Sequence, residues 1–565
     1  MANRELVDIF NSIADMLEIE GVKWEPQAYR KAALSILTLP EDVEEYYKRG
    51  NLMDIEGVGK TIASHIEEYI KTGKIKKYEE LKKKYPIDFV SLGSIRGLGP
   101  KKIYALYKAI GVKNIDDLKK AVEEHKIRGI PGFSEKSEEN IANNLGMTGK
   151  KETNRVLLGQ ILDQAELFVN KLRRSGVFER VEIAGSIRRM KETIGDMDIL
   201  TISKDPQKAM DYFTKLDDVK EVLVSGPTKT SVSLKLGLNC DLRVIEPNSF
   251  GSAMQYFTGN KDHNIKLRKI AISKGLKLNE YGLFMGDKSV ASRTEEEIYK
   301  KLGLEYMPPE MREDTGEIEA AQAHSLPKIL EYKEVLSDLH IHPKGGGGSN
   351  TIEEIAEAAR KLNLKFIALT PYGPANRILG GMTDEQIIDL FKQIDEFNSK
   401  NKELNIVKGV EVEIQKDGSF DLERSTLKKA DFVLGAYHRK TPDITGAVIK
   451  AIQSGLISSI AHPTGRILLK EEGSGIDTDR LFDACEKNGV YLEINGFPDR
   501  LDLPYLLVKA AKEHKIRFTL GSDAKNLDQM RFIRLAASVA RRGWLERSDV
   551  LNSLSFDQFI KSLKR

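Results

Sequence analysis

Apolar and polar positions change their spacing along this chain, and each change predicts a different kind of structure. Over roughly the first 145 residues, short apolar-periodic stretches are broken by glycine turns, the pattern of small helices packed on one another. From about Glu152 the spacing lengthens into an amphipathic helix, "LLGQILDQAELFVNKL". It then shortens to alternating or wholly apolar runs, "RVEIAGS", "DMDILTIS", "SVSLKLG" and "CDLRVIE". A period of two argues strands, so this stretch is expected to be a sheet-centred α+β module. Tyr306 to Tyr332 carries proline and charge, as a connection between domains would. Beyond it, "FIALT", "IVKGVEVEI", "FVLGAYH", "ISSIAHP", "VYLEING" and "RFTLGSD" alternate with helical stretches, as expected of an α/β barrel.

The N-terminal part also repeats itself. "IEGVGKTIASHI" and "IRGLGPKKIYAL" share one pattern at a forty-residue offset, and a weaker copy, "IPGFSEKSEENI", has Ser134 in place of its second glycine. A G-x-G turn lets backbone N–H groups approach an anion, and the helix that follows adds its positive end. A lone copy is equally well a helix cap, whereas tandem copies suit a phosphodiester backbone. The pattern resembles the helix-hairpin-helix motif, in which Gly57, Gly59, Gly97 and Gly99 would grip DNA without reading bases.

Composition narrows the picture. A chain of 565 residues exceeds one ordinary core and predicts several modules. It has no long apolar run and opens on the polar "MANRELVDIF", so a soluble, unexported, cytoplasmic protein without membrane partners is expected. Cys240 and Cys485 stand far apart, which excludes a disulfide framework. Net charge of +3 does not by itself announce nucleic acid, so basic residues are judged locally.

The candidate chemistry lies in "AGSIRRMKETIGDMDIL". Asp196 and Asp198 fall on one face of a strand, and Asp241 in "NCDLRVIE" sits on a later one. Three converging carboxylates can hold divalent cations, while Ser186 and Arg189 offer donors to a triphosphate. Together with "QYFTGNKDHNIKLRKIAISKGLKLNEYGLF", these residues resemble the nucleotidyltransferase core of family X DNA polymerases, relatives of polymerase beta, over residues 1 to 310. The resemblance implies an N-terminal helical domain over 1–85, a fingers-like region over 86–150, a palm over 151–245, a thumb over 246–310 and a linker over 311–332. It implies Mg²⁺ or Mn²⁺ on Asp196, Asp198 and Asp241, and a triphosphate on Ser186, Arg189 and Gly195. Tyr256, Phe257 and Gly259 would line the sugar pocket, and Asn264 and Arg268 would meet the base and the template. A monovalent cation at the hairpin turns, gapped or primer-template DNA, dNTPs and a monomer belong to the same expectation. Asn260 and Ile194 depart mildly from the family. His65 stands where a Schiff-base lysine would be, so lyase activity by that route is not expected, and Lys60, Lys74 and Lys77 are read as solvated lysines.

Residues 333–565 resemble a PHP (polymerase and histidinol phosphatase) domain, a distorted (β/α)7 barrel fused to family X polymerases in many bacteria and archaea. His340, His342, Glu411, His438, His462 and Asp523 match its ligands, which implies Zn²⁺ or Mn²⁺. The remaining ligand positions are replaced together: Gly346-Gly347-Gly348, Thr370-Pro371-Tyr372 and Lys525 stand where the third metal's ligands or their neighbours would be. The expectation is a DNA repair polymerase that fills short gaps and carries a PHP domain with weak or absent 3′-5′ exonuclease activity. The alternatives are an active PHP nuclease or phosphoesterase, and a non-catalytic DNA-binding scaffold.

Overall fold

The computed structural model describes the chain except for residues 1, 38, 40, 41, 56, 94, 96, 97, 146–154, 439–442, 564 and 565. It divides into two compact units, 1–154 with 265–269, and 155–264 with 270–565.

The first unit is helical. One apolar core runs from Leu6 to Ile141. Helices Lys60–Thr72 and Pro100–Ile110 both begin at a glycine, Gly59 and Gly99, in extended conformation with no side-chain cap. Gly57 has φ +80°, and a Cβ there would lie 2.8 Å from Lys31 Cγ, so both the turn and the close approach require glycine. Gly97 lies outside the described residues. The third copy is built differently. The Ser134 hydroxyl accepts from Ser137 N at the start of helix Glu135–Asn144, and the buried Glu138 takes the Ile127 and Arg128 N–H groups.

In the second unit, a five-stranded sheet is ordered Arg180–Ile183, Asp196–Ile202, Asn239–Val244, Lys229–Leu234, Val219–Ser225. Strand Lys229–Leu234 alternates half-buried and buried positions, the two-residue period of its sequence realised against helices Leu158–Arg174 and Pro206–Thr214. Helix Phe250–Thr258, helix Lys261–Ser273 with its residues 265–269 assigned to the first unit, a three-stranded antiparallel sheet and helix Glu295–Lys301 follow. The connection expected over 311–332 is packed rather than loose. Arg312 and Glu317 are fully buried, and Arg312 pairs with Glu295 at 2.5 Å, so charge in this stretch serves internal ion pairing as well as solvation.

The C-terminal part is a seven-stranded parallel sheet in sequential order, Ser337–Ile341 through Phe518–Gly521. A bridge between Ile341 and Ala524, with His342 N donating to Ala524 O at 2.8 Å, brings first and last strands together into a nearly closed barrel. Helix Phe556–Leu563 presses Phe559 against Phe366 and Phe432 in the barrel core. Among the described residues, no helix is long and apolar enough to cross a membrane.

Candidate active sites

The palm carboxylates converge by register. The strand Asp196–Ile202 runs parallel to Asn239–Val244 with Asp198 directly opposite Asp241, and Asp196 lies two residues away on the same face. Gly185, at φ +63°, backs this face: a Cβ there would stand 2.4 Å from Asp198 Oδ2, so the turn and the carboxylate need glycine. Burial, with the charges of Asp196 and Asp241 added, pushes Asp198 up to about 6. Asp241 is treated oppositely. Burial would raise it, but Lys229 at 2.8 Å from Oδ2 and Ser231 at 2.6 Å from Oδ1 outweigh that and hold it below the usual range. The sequence reading missed Lys229 and Ser231, although their own two-residue period on the adjoining strand was a usable signal.

The expected triphosphate residues cluster around the same turn. Ser186 lies in the single-turn helix Gly185–Arg188, and Gly195 precedes the strand of the paired aspartates. Arg189 is 8% exposed and already engaged: Nε donates to Glu313 Oε1 at 2.9 Å and Nη1 to the Thr258 carbonyl. It is therefore held in place rather than waving in solvent. Arg188 is bound by Glu295 and Thr258, a network with Arg312 that the sequence reading did not foresee. Tyr256 and Phe257 pack edge to face with ring centroids 5.1 Å apart. Gly259 has φ +67°, and the Asn264 amide donates to Tyr256 O at 2.7 Å and accepts from Gln255. Arg268 lies on helix Lys261–Ser273.

In the helical unit, His65 Nδ1 is 3.0 Å from the Tyr29 hydroxyl and the two rings stack, while Lys77 pairs with Glu25 at 2.5 Å. Burial and then Lys77 lower the His65 pKa.

At the C-terminal ends of the barrel strands, two groups assemble: His340, His342 and Asp523, and Glu411, His438 and His462. Glu411 joins them. Its Oε2 is 2.9 Å from His340 Nε2 and 3.4 Å from His342 Nε2, and its Oε1 is 3.5 Å from His462 and 3.7 Å from His438. Glu411 Oε1 and His462 Nδ1 are buried without a hydrogen bond, which is how groups awaiting a cation are left. A donor set of imidazoles and carboxylates suits a transition metal, and two such groups fit two ions. Glu493 and Glu413 support the ligands, at 2.6 Å from His340 Nδ1 and 2.7 Å from His438 Nδ1. They too were missed, although Glu413 repeats the Glu411 position at a period of two.

Gly347, Tyr372 and Lys525, at positions where the resemblance implies ligands of a third metal, pack against His342 and Asp523. Gly347 has φ +104°, and a Cβ there would lie 2.5 Å from the Tyr372 ring, whose centroid is 4.0 Å from that of His342. Lys525 Nζ lies 2.6 Å from Asp523 Oδ1, the same oxygen that His342 Nε2 meets at 3.1 Å. Although burial opposes it, the Lys525 charge, with His340 and His342, holds Asp523 well below the usual carboxylate range. Glu493, Glu411 and Asp523 overcome burial to keep His340 well above its ordinary value.

A nucleotidyltransferase-type sheet bearing three aspartates, joined to a parallel barrel bearing clustered imidazoles, defines a polymerase core fused to a phosphoesterase-type module. Family models agree: "DNA polymerase beta thumb" matches residues 253–313, "Helix-hairpin-helix domain" 1–75, "SAM-like Helix-hairpin-helix tandem" 89–146 and "PHP domain" 338–496. The chain is 33% identical over 574 aligned residues to the DNA polymerase/3′-5′ exonuclease PolX of Bacillus subtilis, covering 100% of both proteins. It is also similar to DNA polymerase lambda of Arabidopsis thaliana, at 25% identity over 55% of this chain and 62% of that one. A probable phosphatase of Thermoanaerobacter sp. matches at 29% identity over 40% of this chain and 95% of its own length. The chain belongs to the PHP-bearing family X DNA polymerases, the PolX family.

Proposed function

We propose that this protein is a DNA-directed DNA polymerase that fills short gaps in repair, and that its PHP centre is weak or silent as a 3′-5′ exonuclease. The observation that carries the first half is the pairing of Asp198 with Asp241 across parallel strands beside Asp196, with Asp198 pushed up to about 6. A carboxylate raised by burial and by two neighbouring carboxylates marks a site short of positive charge, which fits divalent cations. Mg²⁺ or Mn²⁺, when bound there, would neutralise triphosphate charge and make the primer 3′-hydroxyl more acidic.

The chain's own groups would do the rest. Asp241, kept ionised by Lys229 and Ser231, faces the attacking hydroxyl as the base-side carboxylate. Ser186, Arg189 and Gly195 hold the triphosphate, and Tyr256, Phe257 and Gly259 crowd the sugar against a 2′-hydroxyl. Asn264 and Arg268 meet the nascent pair, and the Gly59 and Gly99 helix ends, uncapped by side chains, take DNA phosphates. His65 replaces the amine that a Schiff base requires, so lyase chemistry by that route is absent from the proposal.

For the PHP centre, Zn²⁺ or Mn²⁺ would sit on His340, His342, Glu411 and Asp523, and on Glu411, His438 and His462. Lys525 and Tyr372 support the reading of a lost third position: an ammonium and a ring take the place of a cation and its ligands. The second reading, an active exonuclease, is favoured by the two intact groups joined by Glu411, since two metals suffice for many phosphoesterases. A 5′-labelled primer on a one-nucleotide gap with Mn²⁺ separates them. Extension with dNTPs and an unchanged primer without them supports the proposal. Shortening that survives Asp198→Asn, or three ions counted in the purified protein's barrel, would refute the silent centre.

A further inference from the structure

Glu313 is where the barrel reaches the nucleotide side of the palm. Its Oε1 accepts from Arg189 Nε at 2.9 Å and from Arg542 Nη1 at 3.1 Å; its Oε2 accepts from Asn260 Nδ2 at 3.4 Å and lies 3.6 Å from Lys191 Nζ. Arg542 ends helix Ile533–Arg542 of the PHP domain, is 1% exposed, and rests its guanidinium over the Tyr505 ring at 4.4 Å. The same Nη1 donates to the Arg189 backbone carbonyl at 2.7 Å. One PHP arginine thus touches the backbone of Arg189 directly and its side chain through a shared carboxylate.

We infer that Arg542 is a positioning residue for nucleotide binding in the palm, so that the PHP domain serves polymerisation whatever its own centre does. The inference rests on the reading of Arg189 as a triphosphate donor. Two physical effects carry it. The first is geometry: the carbonyl at the end of the Gly185–Arg188 turn is buried against a charged donor, and an unpaired buried carbonyl would pull the turn elsewhere. A guanidinium fixed before the ligand arrives loses little freedom on binding it. The second is charge: Arg189, Arg542 and Lys191 surround one carboxylate, so the cluster stays positive toward a triphosphate. Without Arg542, Glu313 would spend more of its charge on Arg189. A buried arginine is also a costly way merely to fill an interface, where an apolar side chain packs more cheaply.

The test uses full-length protein. Arg542→Gln and Arg542→Lys are compared with Arg534→Gln, which breaks the bidentate pair with Glu166 on helix Leu158–Arg174 and so loosens the same palm–barrel contact at another pair. The probe is a magnesium dNTP titrated onto protein bound to gapped DNA with a dideoxy-terminated primer, and steady-state extension is read alongside. Arg542→Gln should raise both Kd and KM about tenfold and leave kcat within about threefold, since binding rather than chemistry loses its support. Arg542→Lys, keeping the charge, should recover most of the loss, and Arg534→Gln should change neither constant. An unaltered Kd in Arg542→Gln, or an equal loss in Arg534→Gln, would overturn the inference. Should Arg542→Gln fail to fold, Tyr505→Leu removes the ring beneath the guanidinium, and a Kd raised by less than about twofold would count equally against it. Wild-type protein that binds dNTP without extending would defeat the polymerase reading instead, leaving the Arg542 comparison legible.

Discussion

The palm and the barrel each gather carboxylates, yet they leave them in opposite electrical states. In the palm, Asp196 is exposed, Asp198 is pushed up to about 6 by burial and by its neighbours, and Asp241 pairs with Lys229 and Arg243. In the barrel, Glu411 faces His340 and Asp523 faces His342 and Lys525, and both are held well below the ordinary range. The palm is a site with negative charge left to neutralise, as a transiently bound metal requires. The barrel has supplied part of its own positive charge, which lowers its demand for ions.

The largest expected effect breaks the palm side of this contrast. Asp198→Asn should reduce gap-filling extension by about a thousandfold or more, because the lost charge is one the transition state needs. Extension on a gapped primer checks it, and activity within tenfold of wild type would show that the pairing with Asp241 is not catalytic. Next comes the barrel. Glu411→Gln removes one of the carboxylates that faces the buried His340 and should cost about 3 kcal/mol in stability. Urea unfolding measures this, while extension should stay within about twofold; a parallel loss of extension would mean that the barrel's charges act on the palm.

A pH comparison sharpens the contrast further. Asp198, with a folded pKa of about 6 against an ordinary value of 3.8, binds more protons folded than unfolded between those values. Stability therefore falls as pH rises from about 4 to about 6, by about 2 kcal/mol once partial exposure is discounted, and the penalty is complete above 6. Glu411 and Asp523, both depressed, act in the other sense: their stabilisation is present above their unfolded values and is lost as pH falls. Metal-free unfolding of wild type and Asp198→Asn between pH 4 and 7 should differ by that falling slope, and parallel curves would remove the repulsion argument.

Much of this was legible in the sequence because a strand's period of two converts spacing directly into facing. Asp196 with Asp198, and His340 with His342, needed no tertiary information. The helix-hairpin-helix turns were legible because Gly57, at φ +80°, stands where other residues strain. What escaped was set by distant pairing. Lys229 meets Asp241 only because their strands are neighbours, and Glu313 meets Arg542 only after the palm and barrel have packed. The stretch from Tyr306 to Tyr332 looked like a connection because charge and proline usually mean solvent. Among its charges, Arg312 and Glu317 are buried because each has a partner outside the stretch, Arg312 in Glu295 and Glu317 in His263.

The smallest effect tests the barrel's substitution most directly. Lys525 Nζ at 2.6 Å from Asp523 Oδ1 occupies an oxygen that a metal on His340 and His342 would share. Lys525→Ala removes both the competition and a unit of positive charge, so Mn²⁺ should bind the barrel about tenfold tighter, or about 1.4 kcal/mol. Exposure of Lys525 limits the cost to folding, since its side chain is 34% accessible. Titration of metal-free Lys525→Ala against wild type, each carrying Asp198→Asn to quiet the palm, reads the change. Tighter binding that brings primer shortening with it would show that the ammonium restrains an otherwise competent centre. Tighter binding without shortening would place the deficit at Gly347 and Tyr372 rather than at Lys525. Unchanged binding would mean that Lys525 merely decorates a site whose affinity is set by Glu411 and the imidazoles.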